Sequence, residues 1–268
     1  MDMRVHELHY SNTNTYLIEG KKGKLLFDTG WAGTFPAFCG ALGKIKIAVR
    51  DIDYILVSHY HPDHMGIVQE IADQGAVLLV PDVQQDYLHA ADGVFEKEKN
   101  RVFIPIRDDK VYRFPIEESA DVLSKAGLNG TIIYTPGHSR DSISLYIESG
   151  DLFVGDLNPL YELELHKGTQ IEESWEKLLE LKPRTVHYGH ARTFSVGDAG
   201  REETNTDTDL YALVSDIVRL IDKGCDCARI RKKTGADDVF IQDVMRMYLT
   251  HQNIGVQGIL DRIEIKNK

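Results

Sequence analysis

Three imidazoles and a carboxylate stand within six consecutive residues, His59-Tyr60-His61-Pro62-Asp63-His64. Only 11 of the 268 residues are His, so this density is a chemical signal rather than a product of composition. Imidazole and carboxylate together suit a borderline divalent cation such as zinc. Four donors in one short turn exceed what a single site usually draws from one local segment. The motif therefore asks for ligands elsewhere in the chain, and for a second ion.

The flanking residues say how these donors are aimed. Asp53-Tyr-Ile-Leu-Val-Ser58 is apolar and β-branched, the pattern of a short buried strand. Pro62 cannot donate a helical hydrogen bond, which leaves His59 and His61 in extended or turn geometry. Residues i and i+2 of an extended segment point to one side, so His59 and His61 would face one ion. Asp63 and His64 would open a helix predicted over residues 64–74 and face a second ion. Three further donors each follow a predicted strand and a small residue: His138 after Pro136-Gly137, Asp156 after Gly155, and His190 after Gly189. Glycine there lets the backbone turn sharply and bring the donor inward.

The remaining pattern is alternating strands and helices. Strands are predicted at 15–19 and 24–28, paired across Gly20-Lys-Lys-Gly23, then at 77–80, 131–134, 142–148, 152–154 and 185–188. Helices are predicted at 35–42, 82–91, 121–126 and 172–181. Residues 92–118, mixed in charge and broken by Pro105 and Pro115, read as strands with long loops, a lid or substrate wall. After about Gly200 the chain becomes helical: Leu210, Leu213, Val214, Ile217, Val218 and Ile221 recur at helical spacing. A division follows, with residues 1–200 as the catalytic domain and 201–268 as a helical C-terminal extension.

Composition narrows the functions. A net charge of −11 without an extended basic run argues against nonspecific nucleic-acid binding. The basic stretch Arg229-Ile-Arg-Lys-Lys233 lies in a helix–turn–helix-like setting, but its region carries no basic surplus, so an ordinary helical appendage is the preferred reading. Three cysteines, Cys39, Cys225 and Cys227, cannot build a disulfide framework, and reduced thiols fit a cytoplasmic protein. No apolar run reaches the length of a membrane span, and the first ten residues lack a signal-peptide core.

Taken together, these motifs resemble the metallo-β-lactamase-fold hydrolases over roughly residues 8–194. Asn14-Thr-Tyr-Leu-Ile18 and Phe27-Asp-Thr-Gly30 are similar to that family's opening hairpin. The resemblance implies an α/β fold, a four-layer αββα sandwich with a dinuclear site at one edge. It implies that His59, His61 and His138 hold one metal, that Asp63, His64 and His190 hold the other, and that Asp156 bridges them. Asp28 matches a carboxylate that orients the hexapeptide loop. The expected cofactors are two divalent ions, zinc first, with iron or manganese as alternatives.

Such a centre carries a metal-bridging hydroxide as nucleophile, with Asp63 placed to orient it or to pass its proton on. No Ser or Cys nucleophile is required, and Ser58, Ser139 and Ser142 read as structural. The lack of a Cys ligand favours the glyoxalase II-like thioesterase, lactonase and phosphodiesterase branches. The expected reaction is hydrolysis of a small ester, thioester or lactone. Phosphodiester or nucleic-acid cleavage is the alternative. A non-enzymatic regulator acting through the C-terminal helices is a second. Tyr161 is the first choice for a tyrosine that touches substrate, with Tyr60 and Tyr188 as further candidates. Arg140-Asp141 reads as a surface ion pair, with substrate contact as the other possibility. The C-terminal helices are expected to pack beside the active-site mouth or to form a homodimer contact.

Overall fold

A computed structural model describes residues 3–97, 102–198, 208–250 and 256–266. Eleven strands form two sheets. The first contains β1 (Arg4–Leu8), β2 (Thr15–Glu19), β3 (Lys24–Phe27), β4 (Tyr54–Leu56), β5 (Val77–Pro81) and β6 (Val111–Phe114), in that order. The pairs β1–β2 and β2–β3 are antiparallel, and β3 to β6 run parallel. The second sheet has the order β11-β10-β9-β8-β7, from β7 (Gly130–Tyr134), β8 (Ile143–Ile147), β9 (Asp151–Phe153), β10 (Thr185–His187) and β11 (Phe194–Ser195).

Burial explains the layering. Tyr16, Ile18, Leu25, Phe27, Leu56 and Leu79 meet Ile132, Ile143, Leu145 and Phe153 between the sheets. The alternate residues Leu17, Leu26, Ile55, Leu78 and Val80 face outward onto α1 (Phe35–Lys44) and α3 (Val68–Ala72). Leu152 and Val186 on the other sheet face Trp175 and Leu178 of α6 (Gln170–Glu180). Strands apolar on both faces are thus covered on both faces, which is the αββα arrangement. α5 (Ser119–Lys125) closes the inter-sheet layer with Val122 and Leu123.

Three elements differ from the sequence reading. The helix predicted over 64–74 is two short ones, α2 (Pro62–Met65) and α3, broken at Gly66. Gly66 donates its N–H to Gly30 O at 2.8 Å. A Cβ there would sit 2.1 Å from Ala32 N, so a distant loop occupies the space that a continued helix would need. Between residues 92 and 118 the expected strand is present as β6, which extends the first sheet, but Asp92–Lys97 is a helix, α4, that buries Phe95, and Ile106 joins the same core. The helix predicted at 82–91 is a 3-10 segment over Asp82–Tyr87. Edge strands β1 and β11 add to the predicted set.

The C-terminal region forms α7 (Thr208–Asp222), α8 (Cys227–Thr234), α9 (Asp238–Thr250) and α10 (Val256–Lys266). Val214, Ile217, Ile230, Ile241, Val244 and Ile259 make an apolar core of their own. Asp226 caps α8 by accepting from Arg229 N, and Gly235 ends it in a left-handed conformation. Among the described residues no helix is long and apolar enough to cross a membrane.

Phe153 is fully buried and meets Tyr16, Phe27 and His187 edge-on, tilted and stacked. Phe153→Ala is expected to lower unfolding stability by about 3–5 kcal/mol in a denaturant titration. A loss below about 1 kcal/mol would contradict this packing.

Candidate metal centre

The loops leaving β4, β7, β9 and β10 meet at one edge of the sandwich, beyond the carboxyl ends of the parallel strands. Open α/β sheets offer their binding crevices in that position. Each loop delivers one part of the cluster, and other elements hold the loops. Asn14, just before β2, donates its side-chain amide to the carbonyls of Tyr188 and Ala191 at 3.1 and 3.0 Å. Tyr16 adds a hydrogen bond to Tyr188 O at 2.8 Å, and Thr13 donates to Asp63 O at 2.9 Å. The opening hairpin therefore fixes the loops of His190 and Asp63.

The seven donors come together in three overlapping groups: His59 with His61 and His138, His59 with His64 and Asp156, and Asp63 with His64 and His190. Several imidazoles are held from behind, with the other nitrogen turned inward. His64 Nδ1–H donates to Asp28 Oδ2 at 2.9 Å, and His190 Nδ1–H donates to Asn12 O at 2.8 Å. Ser58 Oγ donates to Asp28 Oδ2 at 2.9 Å, which leaves it to accept from His59 Nδ1–H at 3.0 Å. A buried chain from Asp28 thus orients two rings and turns Nε2 of His59 and His64 into the cluster.

The inward atoms converge. His59 Nε2 lies 3.0 Å from His61 Nδ1, which lies 3.1 Å from His138 Nε2. Burial first, then the neighbouring imidazoles, pushes His59 well below the usual His range and His138 down to about 4, although Asp156 pulls both upward. His59 and His138 are thus uncharged at neutral pH, the form in which an imidazole can bind an ion. Ligands about 2.1 Å from a tetrahedral ion stand roughly 3.4 Å apart, slightly wider than this spacing. His64 Nε2 and Asp156 Oδ1 are buried, lie 3.3 Å apart and have no hydrogen-bond partner among the described residues. Burial alone would lower the His64 pKa, but Asp156, Asp28 and Asp63 outweigh it and raise it well above the usual range. Such a site calls for a cation between its donors, and the donor set fits two divalent ions.

Asp156 faces both halves, with Oδ2 3.6 Å from both His138 Nε2 and His190 Nε2 and Oδ1 toward His64. Burial alone would raise the carboxyl pKa, and the surrounding imidazoles, His190 first, hold it well below the usual range. Asp63 Oδ2 lies 2.9 Å from His190 Nε2 and 3.8 Å from His64 Nε2. Its side chain is 19% exposed, against 5% for Asp156, so of the two carboxylates it has the freer access to solvent. Glycine at 189 is required by close approach: a Cβ would stand 2.7 Å from Asp156 Oδ1 and 2.8 Å from His64 Cε1.

Other singled-out residues lie apart from this cluster or support it. Tyr60 is 2% exposed and its ring belongs to the core. Tyr188 is buried, and its hydroxyl accepts from Leu160 N at 3.1 Å. Tyr161 falls in the 3-10 segment Leu160–His166, and its side chain lies outside the described residues. Ser139 and Ser142 bond to each other at 2.7 Å. Arg140 is exposed, but Asp141 is buried, which corrects the surface ion pair. Asp141 Oδ2 accepts from Tyr60 N at 2.7 Å, so it braces the hexapeptide loop from the second sheet. Gln84 ties the same region by donating to Asp141 O and Val57 O at 2.9 and 3.0 Å. Neither role was visible in sequence, because Gln84 belongs to no motif and an Arg-Asp dipeptide looks like a surface pair.

Comparison with known proteins agrees with this architecture. The family model of the metallo-beta-lactamase superfamily matches residues 10–190. A beta-lactamase-like protein 2 homolog of Drosophila melanogaster is 31% identical over 186 residues, which cover 66% of this chain and 58% of that protein. The chain therefore spans less than two thirds of that relative's length. An archaeal metallo-beta-lactamase superfamily protein from Sulfolobus tokodaii superposes with a TM-score of 0.54 at 20% identity, covering 98% of this chain and 96% of the other. TTHA1623, solved in a di-iron-bound form, gives a TM-score of 0.54 at 23% identity, covering 75% and 98% of the two chains. The match over residues 10–190 spans more than half of the sequence and every one of the seven donors: the chain belongs to the metallo-β-lactamase superfamily.

Proposed function

We propose that this protein is a dinuclear-metal hydrolase that cleaves a small ester, thioester or lactone. The observation that carries the reading is Asp156, which faces His64, His138 and His190 at 3.3, 3.6 and 3.6 Å and so joins the two halves of the cluster. His59, His61 and His138 would hold one ion, Asp63, His64 and His190 the other, with Asp156 between them. Divalent ions at such a centre supply a Lewis acid for the substrate oxygen and a water of lowered pKa, about 7 on zinc.

The chain's own groups divide the remaining work. Ser58, the hydroxyl inside the cluster, is engaged by Asp28 and His59 and is not free to attack. Asp63 Oδ2 is the group positioned to take a proton or pass it to a leaving group, since it borders the cluster and reaches solvent. Asp28, Asn12 and Ser58 keep the imidazoles aimed. All-His and carboxylate donors suit zinc and equally iron, the metal held by one structural neighbour. A carbonyl substrate is favoured over a phosphodiester because the chain carries a net charge of −11. A polyanion would need a basic groove.

Elemental analysis of protein purified without chelator is expected to find about two metals per chain; active protein without metal would defeat the mechanism. Asp156→Ala should lose metal and turnover together. Asp28→Asn, which sets an amide N–H or an altered acceptor against His64 Nδ1, should weaken metal affinity about 10–100-fold in a competitive chelator titration. Unchanged affinity would remove Asp28 from that role. A panel of thioesters, lactones, aryl esters and bis-p-nitrophenyl phosphate tests the bond cleaved. Turnover of the aryl esters, thioesters or lactones is expected, and hydrolysis of the phosphodiester alone would replace this reading with a phosphodiesterase.

A further inference from the structure

One cation from the C-terminal helices reaches the centre. Arg262 on α10 lines a cleft with Asp156, Tyr188 and His190. Val256, Ile259, Leu260 and Ile263 of the same helix pack into the helical core, and Arg262 stands at the border of that apolar stripe.

Arg262 is poorly satisfied where it stands. Its Nε is buried and has no hydrogen-bond partner among the described residues. Its Nη1 donates to Gly258 O of the same helix at 3.3 Å. None of the ion pairs among the described residues involves it. A guanidinium is a planar fork of donors that matches a carboxylate, and a buried Nε–H without an acceptor is costly. Nor does the centre supply the missing anion: Asp63 and Asp156 do not balance two divalent ions, and Arg262 adds to the positive excess. Leu157, Pro159 and Ala191 make the rest of this wall largely apolar. One cation in an apolar wall fits a monoanion on a short apolar stem.

We propose that Arg262 is a specificity-determining residue, and that it binds a carboxylate carried by the substrate away from the bond that is cleaved. The inference rests on the hydrolase reading and narrows it to carboxylate-bearing esters, thioesters or lactones. The helical extension then supplies part of the substrate site, as a fork held over the cleft by α10.

Metal-loaded full-length protein, Arg262→Met and Arg262→Lys are compared on p-nitrophenyl hexanoate and on mono-p-nitrophenyl adipate, which differ in a terminal carboxylate. For Arg262→Met, the ratio of kcat/KM for the adipate ester to that for the hexanoate ester should fall roughly tenfold or more, mostly through KM. Arg262→Lys, which keeps the charge without the fork, should fall between wild type and Arg262→Met and guards against a folding defect. Calorimetric titration supplies a readout without turnover: adipate binding should weaken roughly tenfold in Arg262→Met, with hexanoate binding much less affected. An unchanged ester ratio or equal adipate affinity in wild type and Arg262→Met overturns the proposal. If neither ester is hydrolysed, the hydrolase reading fails on these substrates, and the adipate titration alone decides Arg262.

Discussion

The centre depends on one buried carboxylate. Asp28, 1% exposed and at φ 62°, accepts from Ser58 N, Ser58 Oγ and His64 Nδ1. A left-handed conformation is unfavourable for a residue with a side chain, and three short hydrogen bonds hold it in place. The result is directional. The outer nitrogens are directed at Asp28 and Ser58, so the inner nitrogens of His59 and His64 are turned into the cluster. His190 reaches the same state through Asn12 O. The inward nitrogens of His59, His61 and His138 are held about 3 Å apart because the surrounding loops are tied to the sandwich. Ions bound between these donors would stabilise the folded chain as well as supply chemistry.

The sandwich makes such rigidity affordable because its strands are covered on both faces. Tyr16 and Phe27 pack inward between the sheets while Leu17 and Leu26 pack outward, so β2 and β3 cannot shift register without exposing one set. Asn14 and Tyr16, at the start of β2, then act as fixed points for the loop that carries His190. Asp141 does the same for Tyr60 from the second sheet. The two sheets thus meet twice at the site, once through each loop, and the donors of both halves are referred to one frame.

The sequence made the donors legible because each is flagged locally: the hexapeptide by its density of His, and His138, Asp156 and His190 by the glycine before each. The strands that build both faces of the core were legible for the same reason, since apolar runs bounded by turns need only local pattern. What escaped depends on partners far along the chain. The break at Gly66 is imposed by the backbone of Gly30 to Ala32, and burial of Asp141 by the hexapeptide loop. β1 and β11 are edge strands, and short edge strands carry little alternation of their own. Arg262 was invisible because nothing in its neighbourhood marks it; its significance is the cleft it enters.

That cleft separates two tasks along the chain. Every donor lies within residues 10–190, the stretch that matches the family model, whereas Arg262 lies well outside it. α7 to α10 have an apolar core that does not depend on the sandwich. A helix anchored in that core can change the residue it shows to the cleft without disturbing the donors or their supports. Chemistry then remains with the sandwich, where a shift of a fraction of an ångström would misplace a ligand, and selectivity is carried by an element whose own stability is settled elsewhere. The physical requirement for this division is that α10 keep its apolar stripe on α7 and α9 while Arg262 lines the cleft with Asp156 and His190, and a residue at the border of the stripe of Ile259, Leu260 and Ile263 meets it.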